Sequence, residues 1–516
     1  MMIGIAATAA AAGGGALRAA ETAAPVAAKA AALPPAPKTV AELRAALDAH
    51  TGQARFGASL WSVKVVSLET GATLYERDAR RLMSPASNSK LYTGAMALDR
   101  LGPDYRIATP IFATAAPDAA GTVRGDLIVS GRGDPSWKSR GTTKTTFDAV
   151  APLVEAIAAA GVKRVTGDLV ADATFFRGPA NGAGWTADDL YEDYGAEISA
   201  LTLEQNFAEL RVAPGAAAGA PCTVTWLQPL AQLPLDVRLT TRPAGAEAQV
   251  SVRRLFDERT VHLFGGVAAD KAPVVTEATV PRPAEWLGRV LREALAQRGI
   301  RVEGGVRGVR WPEASPVPPT AVRIAEVKSP PLAELVKAFM KPSQNLETDL
   351  IFNHAGELTR KAETPELRTS EDLGVAVLGE FLQQHGLPAG EVRFEEGSGL
   401  SRNNLTTANA TTALLVKMAA HPAQAAFYDS LPIAGVDGTI RRRMKGTPAE
   451  GNVRAKTGTL RYANSLSGYV TTAAGERLAF SAMLNRNVNQ PAGRSVSLEV
   501  DEVAVWLARF AGRSAP

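Results

Sequence analysis

Residues 85–106 read PASNSKLYTGAMALDRLGPDYR, and the rest of the chain is interpreted outward from this stretch. The spacing of apolar residues over positions 86–101 predicts a helix, since a proline precedes it and a Gly-Pro pair follows. Ser87 and Lys90 form an S-x-x-K pattern in the first turn. Three residues make nearly one helical turn, so both side chains share a face. The N–H groups at a helix start favour negative charge on the serine oxygen, and a desolvated lysine can act as its base.

A second pattern of chemical interest is Ser343-Gln344-Asn345, which stands at a break between two helix patterns. A serine hydroxyl both donates and accepts, so it can relay a proton, while an asparagine amide can orient a neighbouring side chain. The plain alternative is a helix cap. Ser401-Arg402-Asn403 also fits S-x-N, but Ser343 is preferred because it opens a long predicted helix at 346–360, which holds side chains firmly.

The third pattern is Lys456-Thr457-Gly458-Thr459, which precedes an apparent hairpin of residues 467–470 and 478–483. A glycine inside a strand lets a ligand or another backbone approach closely. The flanking lysine and threonines could bind a carboxylate through charge and hydroxyl groups. A simple β-turn is the alternative.

Composition sets limits on the class of protein. The chain has 516 residues, 46 % of them hydrophobic and 21 % charged, which is an ordinary globular composition. The net charge of +4 is too small to indicate a nucleic-acid partner. A single cysteine, Cys222, excludes an internal disulfide and a cysteine-based metal cluster. No two of the five histidines have the spacing of H-E-x-x-H, so we predict no metal and no cofactor. A Ser-His-Asp triad stays open, because geometry and not spacing defines it.

Residues 1–37 are rich in alanine and proline and differ from the rest of the chain. Such a segment has too few large apolar groups to build a core. A secretory signal and a disordered leader are the two interpretations. The signal is preferred for its weak apolar run and small residues, although a positively charged start is missing.

The three patterns together define a known set, since S-x-x-K, an S-x-N or S-D-N element and K-T-G characterise penicillin-binding proteins and class A β-lactamases. Here they occur in that order, with 256 positions between Ser87 and Ser343. The long insertion resembles the low-molecular-mass class C penicillin-binding proteins, the D-alanyl-D-alanine carboxypeptidase/endopeptidase family. The resemblance covers residues 40–512. Further segments that carry it are GDLIVSGRGDPSW, GDLVADATFF, EEGSGLSRNN, LPIAGVDGTIRRRM and VRAKTGTLRYANSLSGYV. Gln344 departs from the usual Asp or Asn, and its side chain is expected to matter least.

The resemblance implies an α/β fold with a transpeptidase-like domain, a five-stranded antiparallel sheet flanked by helices. This penicillin-binding domain is expected to combine residues 38–106 with 325–516. The β-rich insertion is expected to form two further domains. Domain II would comprise 107–175 and 256–324, and domain III, nested within it, 176–255.

The resemblance also implies a role for each motif residue. Ser87 looks like the nucleophile that forms an acyl-enzyme with D-Ala-D-Ala, and Lys90 like its base. Ser343 and Lys456 look like a relay that returns a proton to the leaving amine. Asn345 is similar to the family residue that orients the base and binds the substrate amide.

Substrate contacts are implied as well. Lys456, Thr457 and Thr459 would bind the terminal carboxylate, and Gly458 belongs to the same substrate-binding segment. The backbone N–H groups of Ser87 and Thr459 would form the oxyanion hole. Asp134 resembles a family acid that meets the amine of a diamino acid, although a turn aspartate is the alternative. Arg402 resembles a family arginine near the same pocket, and the role of Arg461 is left open.

The expected activity is a serine-type DD-carboxypeptidase and DD-endopeptidase acting on peptidoglycan stem peptides and cross-links. β-Lactams are expected to inhibit it covalently, and the protein is expected to be exported to the periplasm or cell envelope. Two alternatives remain, a β-lactamase-like hydrolase and a non-catalytic envelope scaffold. The first would need fast deacylation, and no deacylating glutamate is assigned.

Overall fold

The computed structural model describes residues 35–231, 233–255, 258–488, 490–491 and 494–514. The chain divides into two compact units. One holds residues 35–186, 197–206 and 282–516, and the other includes 187–196 and 207–281. The predicted leader lies outside the described residues up to position 34. No described helix is long and apolar enough to span a membrane.

A five-stranded antiparallel sheet forms the centre of the larger unit. Its strands are β1 (Leu60–Ser67), β2 (Thr73–Arg77), β3 (Arg454–Leu460), β4 (Ala463–Thr471) and β5 (Arg477–Asn485). Their order is β3-β4-β5-β1-β2. β1 pairs with β5 along its whole length, from Leu60 opposite Asn485 to Ser67 opposite Leu478. The two ends of the chain therefore build one sheet, which confirms the predicted fold class.

Helices cover both faces of this sheet. They are α1 (Val40–Thr51), α2 (Ser89–Leu101), α3 (Leu332–Met340), α4 (Asn345–Glu357), α5 (Ser370–Gln384), α6 (Ala408–Ala419), α7 (Gln424–Ser430) and α8 (Ser497–Arg509). On one face, α1 and α8 bury leucines and valines against the strands in a single apolar cluster. On the other face, α2 lies at the centre of a second cluster with α3 to α7. Removal of this apolar surface from water stabilises the layered arrangement.

Helix α2 is deeply enclosed, because every residue from Ser89 to Leu98 is buried. It follows a short 3₁₀ turn, Ala86–Asn88, so the predicted helix start at residue 86 is a turn that leads into the α-helix. A Cβ at Gly94 would lie 3.1 Å from Met340 Cε and 3.3 Å from Val336 Cγ1. The glycine thus lets α2 and α3 pack closely.

The insertion contributes a second five-stranded sheet to the larger unit. In spatial order its strands are Val306–Val309, Leu169–Asp172, Leu127–Ser130, Ala108–Ala113 and Val322–Lys328. The first three run parallel and the remaining pairs are antiparallel. Two helices, Thr146–Ala159 and Pro283–Gln297, also belong to the insertion. A small parallel sheet joins the two-residue strands Arg301–Val302, Arg164–Val165 and Thr122–Val123.

The smaller unit contains two three-stranded sheets. One has strands Leu235–Leu239, Val261–Gly266 and Gln249–Arg253, and the other Val274–Thr279, Phe207–Ala213 and Thr223–Trp226. Cys222 is buried in the apolar cluster of this unit. The predicted bounds of domains II and III remain a proposal.

Candidate active site

Lys90 is fully buried, and its amine contacts three oxygen atoms. Nζ lies 2.9 Å from Ser87 Oγ, 2.7 Å from Asn345 Oδ1 and 2.6 Å from the Ser398 carbonyl oxygen. A neutral amine has two N–H groups, which the amide and carbonyl oxygens accept. Its lone pair then faces the Ser87 hydroxyl, as a general base requires.

The charge state of Lys90 follows from its surroundings. Burial lowers the pKa of Lys90 to about 8, while the neighbouring acids Asp349 and Glu396 act in the opposite direction. Burial penalises the ammonium because a charge is poorly solvated in the protein interior. A substantial fraction of the amine is therefore neutral near pH 8, which suits a base.

Ser87 lies in a turn with a constrained backbone. Ala86, just before it, has φ +48°, a left-handed conformation that costs roughly 1 kcal/mol or more for a residue with a Cβ. Ser465 donates a hydrogen bond of 2.7 Å to the Pro85 carbonyl, which ties the turn to β4. A Cβ at Gly458 would lie 2.2 Å from the same carbonyl oxygen. The glycine of K-T-G is thus required for β3 to pass the serine turn.

Lys456 is the second fully buried lysine, and it pairs with Ser343. Its Nζ donates to Ser343 Oγ at 2.7 Å and to the Thr457 carbonyl at 2.8 Å. Burial, assisted by the positive charges of Lys90 and Arg443, lowers the pKa of Lys456 well below its usual range. The structure therefore places the predicted serine–lysine relay in hydrogen-bond contact.

The structure distinguishes the two S-x-N candidates. Ser401 donates to Glu395 Oε2 at 3.0 Å, and Asn403 Nδ2 donates to the same atom at 3.0 Å. Ser343 and Asn345 instead contact the two buried lysines. The preference for Ser343 agrees with these contacts.

Helix α4 positions Asn345 at its first residue. Gln344 is the N-cap, and its side-chain oxygen accepts from Glu347 N at 2.9 Å. The unusual middle residue of the motif therefore caps the helix, a role that an Asp or Asn would also perform. Ser343 has φ +68°, so the chain turns sharply between α3 and α4 and aims the two motif side chains at different lysines.

The K-T-G segment lies in strand β3 and not in a β-turn. Thr457 is buried, with its hydroxyl 2.8 Å from that of Thr439, while Thr459 is exposed. This orientation leaves the exposed end of the segment accessible to a carboxylate. The binding of substrate by Thr457 and Thr459 remains a prediction.

The two weaker candidates occupy different environments. Asp134 is buried, accepts from Ser136 N at 2.8 Å, and has no hydrogen-bond partner for Oδ2 among the described residues. Burial raises the pKa of Asp134 to about 6, with Lys138 lowering it and Glu347 raising it. Glu347 lies two residues after Asn345, so Asp134 is close to the start of α4. Arg402 is exposed.

Sequence reasoning missed the acidic residues behind Lys90. Asp349 and Glu396 are both buried and both act on the lysine electrostatically. Asp349 lies one helical turn after Asn345, so the i, i+4 spacing could have indicated it. Glu396 belongs to the EEGSGLSRNN segment, where no local pattern indicates that its carboxylate points inward.

One His/Asp cluster has the composition of a metal site. Asp99 Oδ1 lies 2.8 Å from His385 Nε2 and 2.9 Å from His421 Nε2. However, His421 Nδ1 accepts from Ala423 N at 3.1 Å, so the ring proton is on Nε2 and points at Asp99. A metal ion bound at His421 Nε2 would require the ring proton to be on Nδ1, where it would face the N–H group of Ala423. The cluster is therefore best described as hydrogen bonds joining α2 to the loops after α5 and α6.

Comparison with known proteins identifies the family of this chain. The profile of the D-Ala-D-Ala carboxypeptidase 3 (S13) family matches residues 43–508. The D-alanyl-D-alanine carboxypeptidase of Actinomadura sp. (strain R39) is 36 % identical over 490 residues, which cover 92 % of this chain and 86 % of the relative. The D-alanyl-D-alanine carboxypeptidase DacB of Haemophilus influenzae is 28 % identical over 411 residues, covering 78 % and 80 %.

Among solved structures, penicillin binding protein 4 (dacB) from Haemophilus influenzae matches with a TM-score of 0.74 and 24 % identity. The match covers 90 % of this chain and 98 % of that protein. A second structure of the same protein, in complex with a β-lactam, has a TM-score of 0.68. These two structures establish the fold.

The chain thus has the fold of penicillin-binding proteins. It belongs to the D-Ala-D-Ala carboxypeptidase 3 (S13) family, and it is a serine carboxypeptidase of that family. The resemblance inferred from the three motifs is confirmed.

Proposed function

We propose that this protein cleaves D-Ala-D-Ala stem peptides and cross-links of peptidoglycan through an acyl-enzyme on Ser87. The observation that carries the proposal is the 2.9 Å contact between Lys90 Nζ and Ser87 Oγ inside a buried network. The amine is neutral enough to accept a proton, and its other contacts fix its orientation. This pairing is what a serine nucleophile needs.

The geometry supports the following sequence of steps. Ser87 Oγ attacks the carbonyl carbon of the scissile D-Ala-D-Ala bond while its proton passes to Lys90. The leaving amine receives a proton through Ser343 and Lys456, which releases D-alanine or the cross-bridge amine. Water then attacks the ester and regenerates the serine. Backbone N–H groups of Ser87 and Thr459 would stabilise the oxyanion, commonly worth about 3–4 kcal/mol each.

β-Lactams are proposed as covalent inhibitors, because their strained amide meets the same nucleophile and leaves the ester in place. The complex of a similar structure with a β-lactam supports this. Peptidoglycan is a component of the cell envelope, so a protein that acts on it works there. We propose that this protein is exported to the periplasm. An alanine-rich start with small residues is the feature that favours it.

The test uses purified protein with a peptide ending in D-Ala-D-Ala and with a cross-linked muropeptide dimer. Release of D-alanine from the peptide and of monomers from the dimer is expected, and prior treatment with penicillin should abolish both. Acyl-enzyme lifetime separates this proposal from a β-lactamase. A penicillin adduct that decays within seconds would contradict the peptidase assignment, and absence of any adduct would favour a scaffold.

Asp134→Asn is predicted to weaken selection of the stem-peptide side chain. Because the pKa of Asp134 is about 6, its carboxylate is mostly ionised at pH 7.5. The ionised carboxylate would attract the amine of a diamino acid. We expect kcat/KM to fall about tenfold for a peptide with a free side-chain amine, a loss of about 1.4 kcal/mol. The same peptide with an acetylated amine is the control and should be cleaved at the wild-type rate. An equal loss on both peptides would show that Asp134 has only a structural role.

A further inference from the structure

Glu396 is a fully buried carboxylate behind Lys90 that the proposed steps do not use. Several hydrogen-bond donors converge on it. Ser398 N donates at 2.9 Å, Gly399 N at 2.7 Å and Asn404 Nδ2 at 2.7 Å, and the Ser398 hydroxyl is a further donor. A carboxylate that accepts this many donors is stabilised in its ionised form.

These contacts fold residues 396–401 into a tight turn against the catalytic helix. The Ser398 carbonyl accepts from Lys90 Nζ, and the Gly397 carbonyl accepts from Thr93 Oγ1 at 2.7 Å. Thr93 lies one turn after Lys90 on α2. Gly399 has φ +86°, and a Cβ there would lie 2.0 Å from the Ala86 carbonyl. The turn is therefore pressed between the base and the backbone that precedes the nucleophile.

The charged groups around Lys90 come from three other elements. Asp349 is on α4, Glu396 is in the turn, and Lys456 is on β3, while Glu371 on α5 raises the pKa of Asp349. Burial raises the pKa of Glu371 to about 8, with Glu396 adding to it.

Asp349 differs from Glu396 in its hydrogen bonds. Its Oδ1 accepts from Gly397 N at 3.1 Å, but Oδ2 has no partner among the described residues. Burial and the charge of Glu396 raise the pKa of Asp349 well above its usual range. The raised pKa favours the protonated form of Asp349, whereas the four donors around Glu396 are arranged to bind a carboxylate.

We propose that Glu396 is a positioning residue for Lys90: it folds residues 396–401 so that the Ser398 carbonyl holds the amine toward Ser87, and its negative charge balances the ammonium that forms when Ser87 transfers its proton. This role rests on the proposed function, in which Lys90 is the base. Glu396 itself contacts neither substrate nor the reacting atoms.

The test is the pH profile of acylation by a fluorescent penicillin. A neighbouring negative charge favours the ammonium, so removing it lowers the pKa of Lys90 and more neutral amine is present at low pH. The acid limb is the part of the profile in which the acylation rate rises with pH. For Glu396→Gln we expect the midpoint of this limb to move down by about one pH unit and the acylation rate at high pH to fall about tenfold or more. Glu396→Asp keeps the charge and shortens the side chain, so its rate should fall with the acid limb unmoved.

Asp349→Asn is the matched control, because asparagine mimics a protonated aspartate and still accepts from Gly397 N. Its acid limb should coincide with that of the wild type. An unmoved limb in Glu396→Gln, or an equal shift in Asp349→Asn, would overturn the proposal. Circular dichroism confirms that each variant is folded.

If Glu396→Gln does not fold, Ser398→Ala tests the same turn, since it removes one donor and keeps the carbonyl. Acylation several-fold slower than wild type is expected, and an unchanged rate would overturn the proposal. Labelling of Ser87→Ala with the fluorescent penicillin distinguishes failure of the proposed function from failure of the role proposed for Glu396. A labelled Ser87→Ala variant refutes the proposed function, whereas an unlabelled one with an unmoved Glu396→Gln profile refutes only the role of Glu396.

Discussion

Replacing Ser87 by alanine is expected to abolish acylation by penicillin and to reduce D-alanine release by about 10⁵-fold or more. The change removes the oxygen atom that would form the ester, and Lys90 would then face a methyl group. Stability should change little, because Ser87 is half-buried and its hydroxyl makes one described hydrogen bond, with Lys90. The measurement is intact-protein mass after incubation with penicillin, together with D-alanine release from a stem peptide.

Ser84→Ala is the matched control for this experiment. Ser84 lies in the same segment, where its backbone and not its hydroxyl bonds to Asn485. The control should label and turn over like the wild type. A mass increase of one penicillin on Ser87→Ala would show that another residue is the nucleophile.

The fold was predictable from the sequence because its strands and helices carry strong local signals. The helix predicted over 86–101 coincides with the 3₁₀ turn and α2, and the hairpin predicted at 467–470 and 478–483 coincides with β4 and β5. The sheet order was a different matter. β1 pairs with β5 across more than 400 positions, and no local pattern specifies that pairing. The family resemblance supplied it.

Short motifs in the sequence identify the two lysines of the site, but they identify only some of the groups that these lysines contact. Side chains such as Ser343 and Asn345 belong to a readable pattern. The Ser398 carbonyl does not, because every residue has one and only the folded turn decides where it points. The same holds for Glu396, whose neighbouring Glu395 bonds to Ser401 and Asn403 instead.

Backbone strain at the site was also beyond reach of the sequence. Ala86 and Ser343 both have positive φ, and neither is a glycine that would signal it. Each precedes or forms part of a motif whose side chain contacts a buried lysine. The packing around both positions offsets the cost of strain and fixes the two serines before substrate arrives.

Lys90→Ala is the second large effect, and we expect a folded protein that acylates about 10⁴-fold more slowly. Without the amine, no group accepts the Ser87 proton, and the oxygens of Asn345 and Ser398 lose a donor. In the wild type, acylation should rise with pH and level off above about pH 8, because the base acts only when deprotonated and its pKa is about 8. The variant should lose this rise altogether. Stopped-flow acylation from pH 6 to 10 measures both.

Lys90→Arg separates the charge of Lys90 from its basicity. Arginine keeps the positive charge but is not deprotonated in proteins, so it provides electrostatic attraction without a base. We therefore expect Lys90→Arg to be about as slow as Lys90→Ala. Lys64→Ala is the control, since the Lys64 amine donates a hydrogen bond to Asn409 on α6. The Lys64→Ala variant should be acylated at the wild-type rate. Acylation of Lys90→Arg near the wild-type rate would mean that positive charge suffices and that the Ser87 proton has another acceptor.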